Sequence, residues 1–368
     1  MPKAQETILE IDLNALKHNY EYLKSQLQNN TKFLAVVKAF AYGSDACEIA
    51  KFLESLNVDY FAVAYNNEGV SLRESGIDTP ILVLHPQTVN FNSLVENCLE
   101  PSIYNHKILD EFIETAESKQ LTNYPIHLKF NTGLNRLGFS KTDIDSVVSK
   151  IKATKAIKVK SVLSHLGASE DLNEKTFTQN QIKSFEDIST KIIGALGYRP
   201  ILHLCNTSGI LNYPEAHLDM VRSGIGLYGF GNSEKQNKNF KPIASLKTVI
   251  SQIHTIHKGE SVGYNRGYIS NSSIKTATLP IGHADGIGRQ YGKGKGYVII
   301  NNKKAPIVGN VCMDMIMVNI TNIDCKEGDE VIIFGPSTTA EQLAETANTI
   351  SYELITGISQ RVKRVFLK

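Results

Sequence analysis

The sequence predicts an α/β architecture: an N-terminal (β/α)8 barrel of the TIM type followed by a mainly β C-terminal domain. Three observations carry this. Eight short strand-like runs alternate with helical segments through the first two thirds of the chain. After "YGFGNS" (228–233) a polar stretch, "EKQNKNFKP", intervenes, and beyond it short strands are separated by Gly, Asn, Lys and Asp turns. The length, 368 residues, exceeds what one ordinary domain needs. The predicted domains are therefore 8–233 and 240–368.

The barrel strands are expected at "FLAVV" (33–37), "YFAVA" (60–64), "PILVL" (80–84), "EPSIY" (100–104), "PIHLKF" (125–130), "VKSVLS" (159–164), "ILHLC" (201–205) and "DMVRSG" (219–224). Most are apolar and rich in β-branched or aromatic residues, as strands covered on both faces must be. The fourth and eighth are weakly patterned. Between them lie segments with helical period or polar helix formers, such as "NNEGVSLRESG" and "QIKSFEDISTKIIGAL". A doubly wound sheet uses fewer strands, so the repeat count favours the barrel. In the second domain "ASLKTVISQIHTIHKG", "IKTATLPIG", "GYVIINNKKAPIVGNV", "DMIMVNIT" and "DEVIIFG" read as strands, and helical pattern returns only near "TAEQLAETANTISYELITGIS".

Composition narrows the function. Apolar residues make up 42% and charged residues 21%, a soluble balance, and the net charge of +2 is spread rather than blocked. That leaves no electrostatic footprint for nucleic acid or an acidic membrane. No apolar run is long enough to cross a bilayer, and "MPKAQETILEID" lacks the apolar core of a signal peptide. Five scattered cysteines without a C-x-x-C pair argue against a disulfide framework or a zinc site. The expectation is a cytoplasmic protein with no metal.

Within the first barrel unit, "FLAVVKAFAYGSDACEIAKFL", Lys38 stands where a buried strand ends, and Ala46, Ile49, Ala50 and Leu53 then take up helical spacing. On this stretch alone, the ordinary reading is a packed stem with its ammonium in water. In a barrel of this type, however, reacting groups come from the carboxyl ends of the strands. Strand one gives Lys38 and Tyr42; strand five gives Lys129, Asn131 and, in "NTGLNRLGF", Arg136. Strand six gives His165; strand seven gives Asn206, Thr207 and Ser208; strand eight gives Arg222, Gly224 and Ile225. Singly, Arg222 reads as a salt-bridge partner, His165 as a core histidine and "NTSG" as turn chemistry. Together they fit one task. Backbone N–H groups of Gly224 and Ile225 with a hydroxyl from Thr207 or Ser208 make a phosphate cradle on the last two strands. A phosphate on one side and a desolvated lysine on the other point to pyridoxal 5′-phosphate held on Lys38 as an imine.

"AVVKAFAYG" resembles the pyridoxal-lysine motif of the alanine racemases. "HLKFNTGLNRLGF", "SHLGA", "CNTSG", "DMVRSGIGLYG", "SVGYNRGY", "PIGHADGIGR", "VGNVCMDM" and "ISYELITGISQRVKR" resemble later motifs of that family, in its order, and the likeness runs from about Ile8 to Lys368. The resemblance implies that Lys38 carries the cofactor and is the base on one face of the substrate. Tyr264 would be the base on the other face, supplied by the second domain of a partner subunit in a head-to-tail homodimer. His165 and Arg222 would support the Tyr264 phenolate, and Arg222 would face the pyridine nitrogen. Arg136 and the backbone N–H of Met313 would bind the substrate carboxylate, with Asp314 shaping the same site from the partner chain. Tyr42, Thr207, Ser208, Gly224, Ile225 and Tyr352 would hold the phosphate, and Asn206 belongs to the cofactor-binding set. Lys129 matches a position carbamylated in some members. The implied reaction is the interconversion of L- and D-alanine by two-base proton removal and return, supplying D-alanine for peptidoglycan.

Three positions depart from the family pattern: Asn131 for aspartate, His283 for tyrosine and Asn310 for arginine. By resemblance the last two lie near the access channel. The competing readings are a racemase with serine or a broader substrate range, a pyridoxal-dependent decarboxylase of the same fold and a non-catalytic cofactor carrier. The decarboxylase would pair the pyridine nitrogen with a carboxylate where this chain has Arg222. The carrier usually lacks the domain that bears Tyr264.

Overall fold

The computed structural model describes residues 4–28, 30–231 and 233–368. The first strand, β1 (Ile8–Asp12), is followed by eight more: β2 (Lys32–Val36), β3 (Tyr60–Val63), β4 (Ile81–Val83), β5 (Glu100–Ile103), β6 (Tyr124–Lys129), β7 (Ile157–Leu163), β8 (Ile201–His203) and β9 (Met220–Ser223). Among the described residues, β2 to β9 close a parallel barrel, sealed where Leu34 of β2 pairs with Arg222 of β9. Every predicted barrel strand is present, each within two residues of its expected span or shortened at its ends. In β3 and β4 all residues are buried, which is why these runs carry no alternation. The two weakly patterned strands hold buried Ser102, Arg222 and Ser223. Polar side chains at interior barrel positions blurred the pattern.

The chain divides into two compact units, one of residues Lys17–Ala41 and Ala46–Phe240 that contains the barrel, the other of residues up to Leu16, Tyr42–Asp45 and Lys241–Lys368. The second unit is built on a nine-stranded sheet. The sequence expectation of a barrel domain starting at residue 8 needs correction at this point. β1 lies in that sheet, antiparallel to Ala244–Val249 and parallel to Lys363–Leu367. Its partners come from the far end of the chain, so no local signal announces the pairing. Buried Glu10 fixes β1 there, accepting from Lys247 Nζ at 2.8 Å. The helices foreseen near the C-terminus appear as Ala340–Glu345 and Ser351–Thr356. Among the described residues no helix is long and apolar enough to cross a membrane.

Candidate active site

Lys38 emerges at the carboxyl end of β2, and the backbone after it does something the sequence did not announce. Ala39, Phe40, Ala41 and Tyr42 all have φ between 50° and 57°. A left-handed turn of four L-residues costs roughly 1–2 kcal/mol per residue, so other contacts must hold it. Glu68 is one such contact. Its carboxylate accepts from Ala39 N–H at 2.7 Å, and from Ala64 and Tyr65 N–H at 2.7 and 3.1 Å, stitching the turn to the end of β3. The helix that follows, Ala46–Ser55, buries the four residues whose spacing predicted it. Gly43, with φ of 84°, is required on two grounds, since a Cβ there would stand 2.0 Å from the Ile355 carbonyl oxygen.

The barrel brings Lys38, Lys129, Arg136, His165 and Arg222 into one electrostatic neighbourhood. Burial lowers the Lys38 pKa, helped by Arg136 and opposed by Glu68. Burial and then Arg222, Arg136 and Lys38 bring Lys129 down to about 8. His165 is pushed well below its usual value by burial and by the same cations, so it is a neutral imidazole. Arg222 is lowered by burial to about 10 and remains a cation at neutral pH. Its terminal nitrogens donate to His203 Nδ1 (2.8 Å) and to the carbonyls of Ser164 (2.6 Å), Leu204 (3.1 Å) and His203 (3.2 Å). Nη2 also meets His165 Nδ1 at 3.3 Å. A guanidinium can only donate, so His165 Nδ1 is the acceptor and its N–H is carried on Nε2.

On the last two strands, Thr207 Oγ1 lies 3.0 Å from Ser223 Oγ and accepts from Gly226 N–H at 3.3 Å. Gly224 and Ile225 open the tight turn after β9, where the Leu227 and Tyr228 N–H groups fold back onto their carbonyls. The Asn206 side chain caps the helix Thr207–Asn212, accepting from Gly209 N–H at 2.9 Å and from Ser169 Oγ at 2.8 Å.

In the unit that contains the sheet, Tyr42 and Tyr352 have ring centroids 6.0 Å apart, and burial raises the Tyr42 phenol to about 12, which keeps it a donor. Tyr264, Met313 and Asp314 line one open cavity of about 690 Å³ together with Val262, Cys312 and Met317. Tyr264 is 75% exposed and sits on a turn whose next two residues, Asn265 and Arg266, are left-handed. Asn310 Nδ2 donates to the Tyr264 carbonyl at 3.0 Å, so this departure from the family pattern steadies the turn that carries Tyr264. Asp314 accepts from Arg361 Nη2 at 2.6 Å, while Arg361 Nε donates to Asp285 at 2.7 Å. His283 lends its backbone, its N–H donating to the Cys312 carbonyl at 3.0 Å. Asn131 accepts from Gly133 and Asn135 N–H and donates through Nδ2 to Asn135 Oδ1 at 2.8 Å, a bond an aspartate could not make.

Two family models cover nearly the whole chain: "Alanine racemase, N-terminal domain" matches residues 11–231 and "Alanine racemase, C-terminal domain" matches residues 243–366. The chain belongs to the alanine racemase family. The alanine racemase of Clostridium tetani is 37% identical to it, over 98% of this chain and 95% of that one. A solved alanine racemase structure from Clostridium difficile 630 superposes with a TM-score of 0.93 at 33% identity, covering 100% of this chain and 97% of that chain. The structure of the Bartonella henselae alanine racemase, which is described as having covalently bound pyridoxal phosphate, gives a TM-score of 0.90 at 28% identity, covering 99% of this chain and 100% of that chain.

The donor set of this racemase-family barrel fits pyridoxal phosphate. Each depressed pKa in the cluster comes from burial beside other cations, and among the described residues Glu68 is the one carboxylate that counters this, at Lys38. A dianionic phosphate and a phenolic oxygen are the charges such a cluster calls for. Sequence reading missed Glu68, His203, Asn310 as a support for Tyr264, and Arg361. Glu68 lies on a helix in an ordinary-looking "NNEGV", and Arg361 is one basic residue among several near the C-terminus. Only the folded backbone shows what they hold.

Proposed function

We propose that this chain interconverts L- and D-alanine, with pyridoxal 5′-phosphate held on Lys38, and that it works in the cytoplasm as a head-to-tail homodimer supplying D-alanine for peptidoglycan. The observation that carries the proposal is the cation cluster at the carboxyl ends of the barrel strands, with Lys38 desolvated inside it. When bound, the cofactor supplies an electron sink for the substrate's Cα–H bond.

The residues supply the rest. With its pKa lowered, Lys38 spends more time as a free amine near neutral pH, fit to bond the cofactor and to take or return a proton on one face. Tyr264 of a second copy would serve the opposite face, and a racemase needs both. His165, pinned by Arg222 as the Nε2–H tautomer, has a donor for a phenolate oxygen. Arg222 stays charged and would face the ring nitrogen as a donor that does not readily give up its proton, which would weaken the sink and restrain side reactions such as transamination. Thr207, Ser208, Gly224 and Ile225, with Asn206 shaping their turn and Tyr42 and Tyr352 as phenolic donors, would hold the phosphate. Arg136 would bind the carboxylate with the help of a Met313 N–H, and Asp314 of the second copy, held by Arg361, would shape the same site. Two-fold symmetry completes both sites of the dimer at once.

The test is to incubate the cofactor-loaded protein with L-alanine, L-serine and L-lysine and to assay each D-enantiomer. D-alanine well ahead of the other two is the expected result. Cofactor bound with carbon dioxide released would shift the reading to a decarboxylase.

A further inference from the structure

The Arg222–His203 contact is one end of a longer path. His203 Nε2 lies 2.8 Å from Ser161 Oγ, Ser161 Oγ lies 2.6 Å from His127 Nδ1, and His127 Nε2 lies 2.6 Å from Glu100 Oε2. His127, Ser161 and His203 are all 0% exposed. Barrel interiors are filled mainly by branched apolar side chains, and a buried polar thread costs stability unless every member is satisfied. This one is satisfied along its whole length, and it crosses the barrel. Glu100 is the first residue of β5, at the amino-terminal end, whereas Arg222 serves the carboxyl end.

One constraint fixes the hydrogen on His203. Arg222 has no acceptor, so His203 Nδ1 must accept and His203 Nε2–H must donate to Ser161. Ser161 Oγ, accepting there, stands within hydrogen-bond distance of His127 Nδ1, and His127 Nε2 in turn meets the Glu100 carboxylate. The path therefore links a buried guanidinium to a carboxylate through two imidazoles and a hydroxyl.

We propose that Glu100 is the counter-charge of Arg222 and a positioning residue for the reaction, acting through His127, Ser161 and His203 to hold the guanidinium that faces the cofactor nitrogen. All of the Arg222 bonds described above leave from Nη1 and Nη2, which fixes the plane of the group. A polarised chain strengthens each donor in it, so the charge at the far end bears on how firmly the guanidinium is held. This inference rests on the proposed use of pyridoxal phosphate.

Two variants test it. Glu100→Gln keeps an acceptor for His127 and removes the charge; Ser161→Ala removes one hydroxyl and severs the path. Each is loaded with pyridoxal phosphate labelled with ¹⁵N in the ring, beside the unaltered protein. In each, the ring-nitrogen resonance is expected to move, and kcat to fall roughly tenfold with KM within about twofold. The double variant should be no worse than either single one, because both cut the same path. Either variant alone carries the test if the other folds poorly. Lower thermal stability with kcat and resonance at unaltered values, or effects that add, would overturn the inference and leave a merely structural polar core. An unaltered protein that neither binds the cofactor nor inverts alanine overturns the functional reading instead, and this inference with it.

Discussion

Lys129 shows how much a single buried charge decides. The residue is buried, and its pKa is lowered to about 8 by burial and three neighbouring cations. The folded protein thus binds fewer protons at this site than the unfolded chain, whose lysine keeps the ordinary value of 10.5. The sign follows: stability of the cofactor-free protein rises as pH increases from about 8 towards 10.5, measured by denaturant unfolding across that range. For the same reason Lys129→Met should raise the thermal midpoint of the cofactor-free protein at pH 7 while lowering activity. A fall in the midpoint would mean that the ammonium has an anionic partner. The free amine can also take up carbon dioxide, forming a carbamate with loss of a proton, and the new negative charge would sit among Arg136, Arg222 and Lys38. Supplying ¹³C-bicarbonate should give a carbamate carbon resonance that Lys129→Met lacks. Position 129 was legible as a candidate from its place at the carboxyl end of a strand; the pressure on its charge was not, because that comes from residues on other strands and loops.

The element that matters most is the left-handed turn after β2. Glu68 both ties it down and raises the Lys38 pKa. Glu68→Ala leaves three N–H groups without this acceptor, at about 1–3 kcal/mol for each one that stays buried. It also lets the Lys38 pKa fall further, so the limb on which activity rises with pH should move to lower pH. A stopped-flow or steady-state pH profile would show this; a profile that stays put would mean that Lys38 does not titrate in that limb. Gly43→Ala should fail more simply, since Cβ meets the Ile355 carbonyl and φ is positive. Loss of more than about 2 kcal/mol in unfolding free energy is expected. Strands and helices of the barrel were readable because apolar period is a local property. The four-residue left-handed turn was not, because Ala39, Phe40, Ala41 and Tyr42 have no local preference for it and are held by Glu68 from another element.

At the scale of the molecule, both units and their order could be read from the change in texture near 233–240, whereas the place of β1 in the sheet could not, its partners being at the other end of the chain. The proposed sharing of sites between two copies has a direct consequence. Lys38→Ala and Tyr264→Phe should each be inactive, yet mixing and re-pairing them should restore about one quarter of the activity: half the dimers are hybrids, and one of the two sites in each is whole. No recovery, with hybrids demonstrated by mass, would place both residues of a site on one chain. The central claim, that a proton leaves alanine on one face and returns on the other, is tested most directly by running the cofactor-loaded protein with L-alanine in deuterium oxide. The predicted result is D-alanine carrying deuterium at Cα, and none with Lys38→Ala. L-alanine recovered with its Cα hydrogen intact, from protein shown to hold the cofactor, would contradict the account.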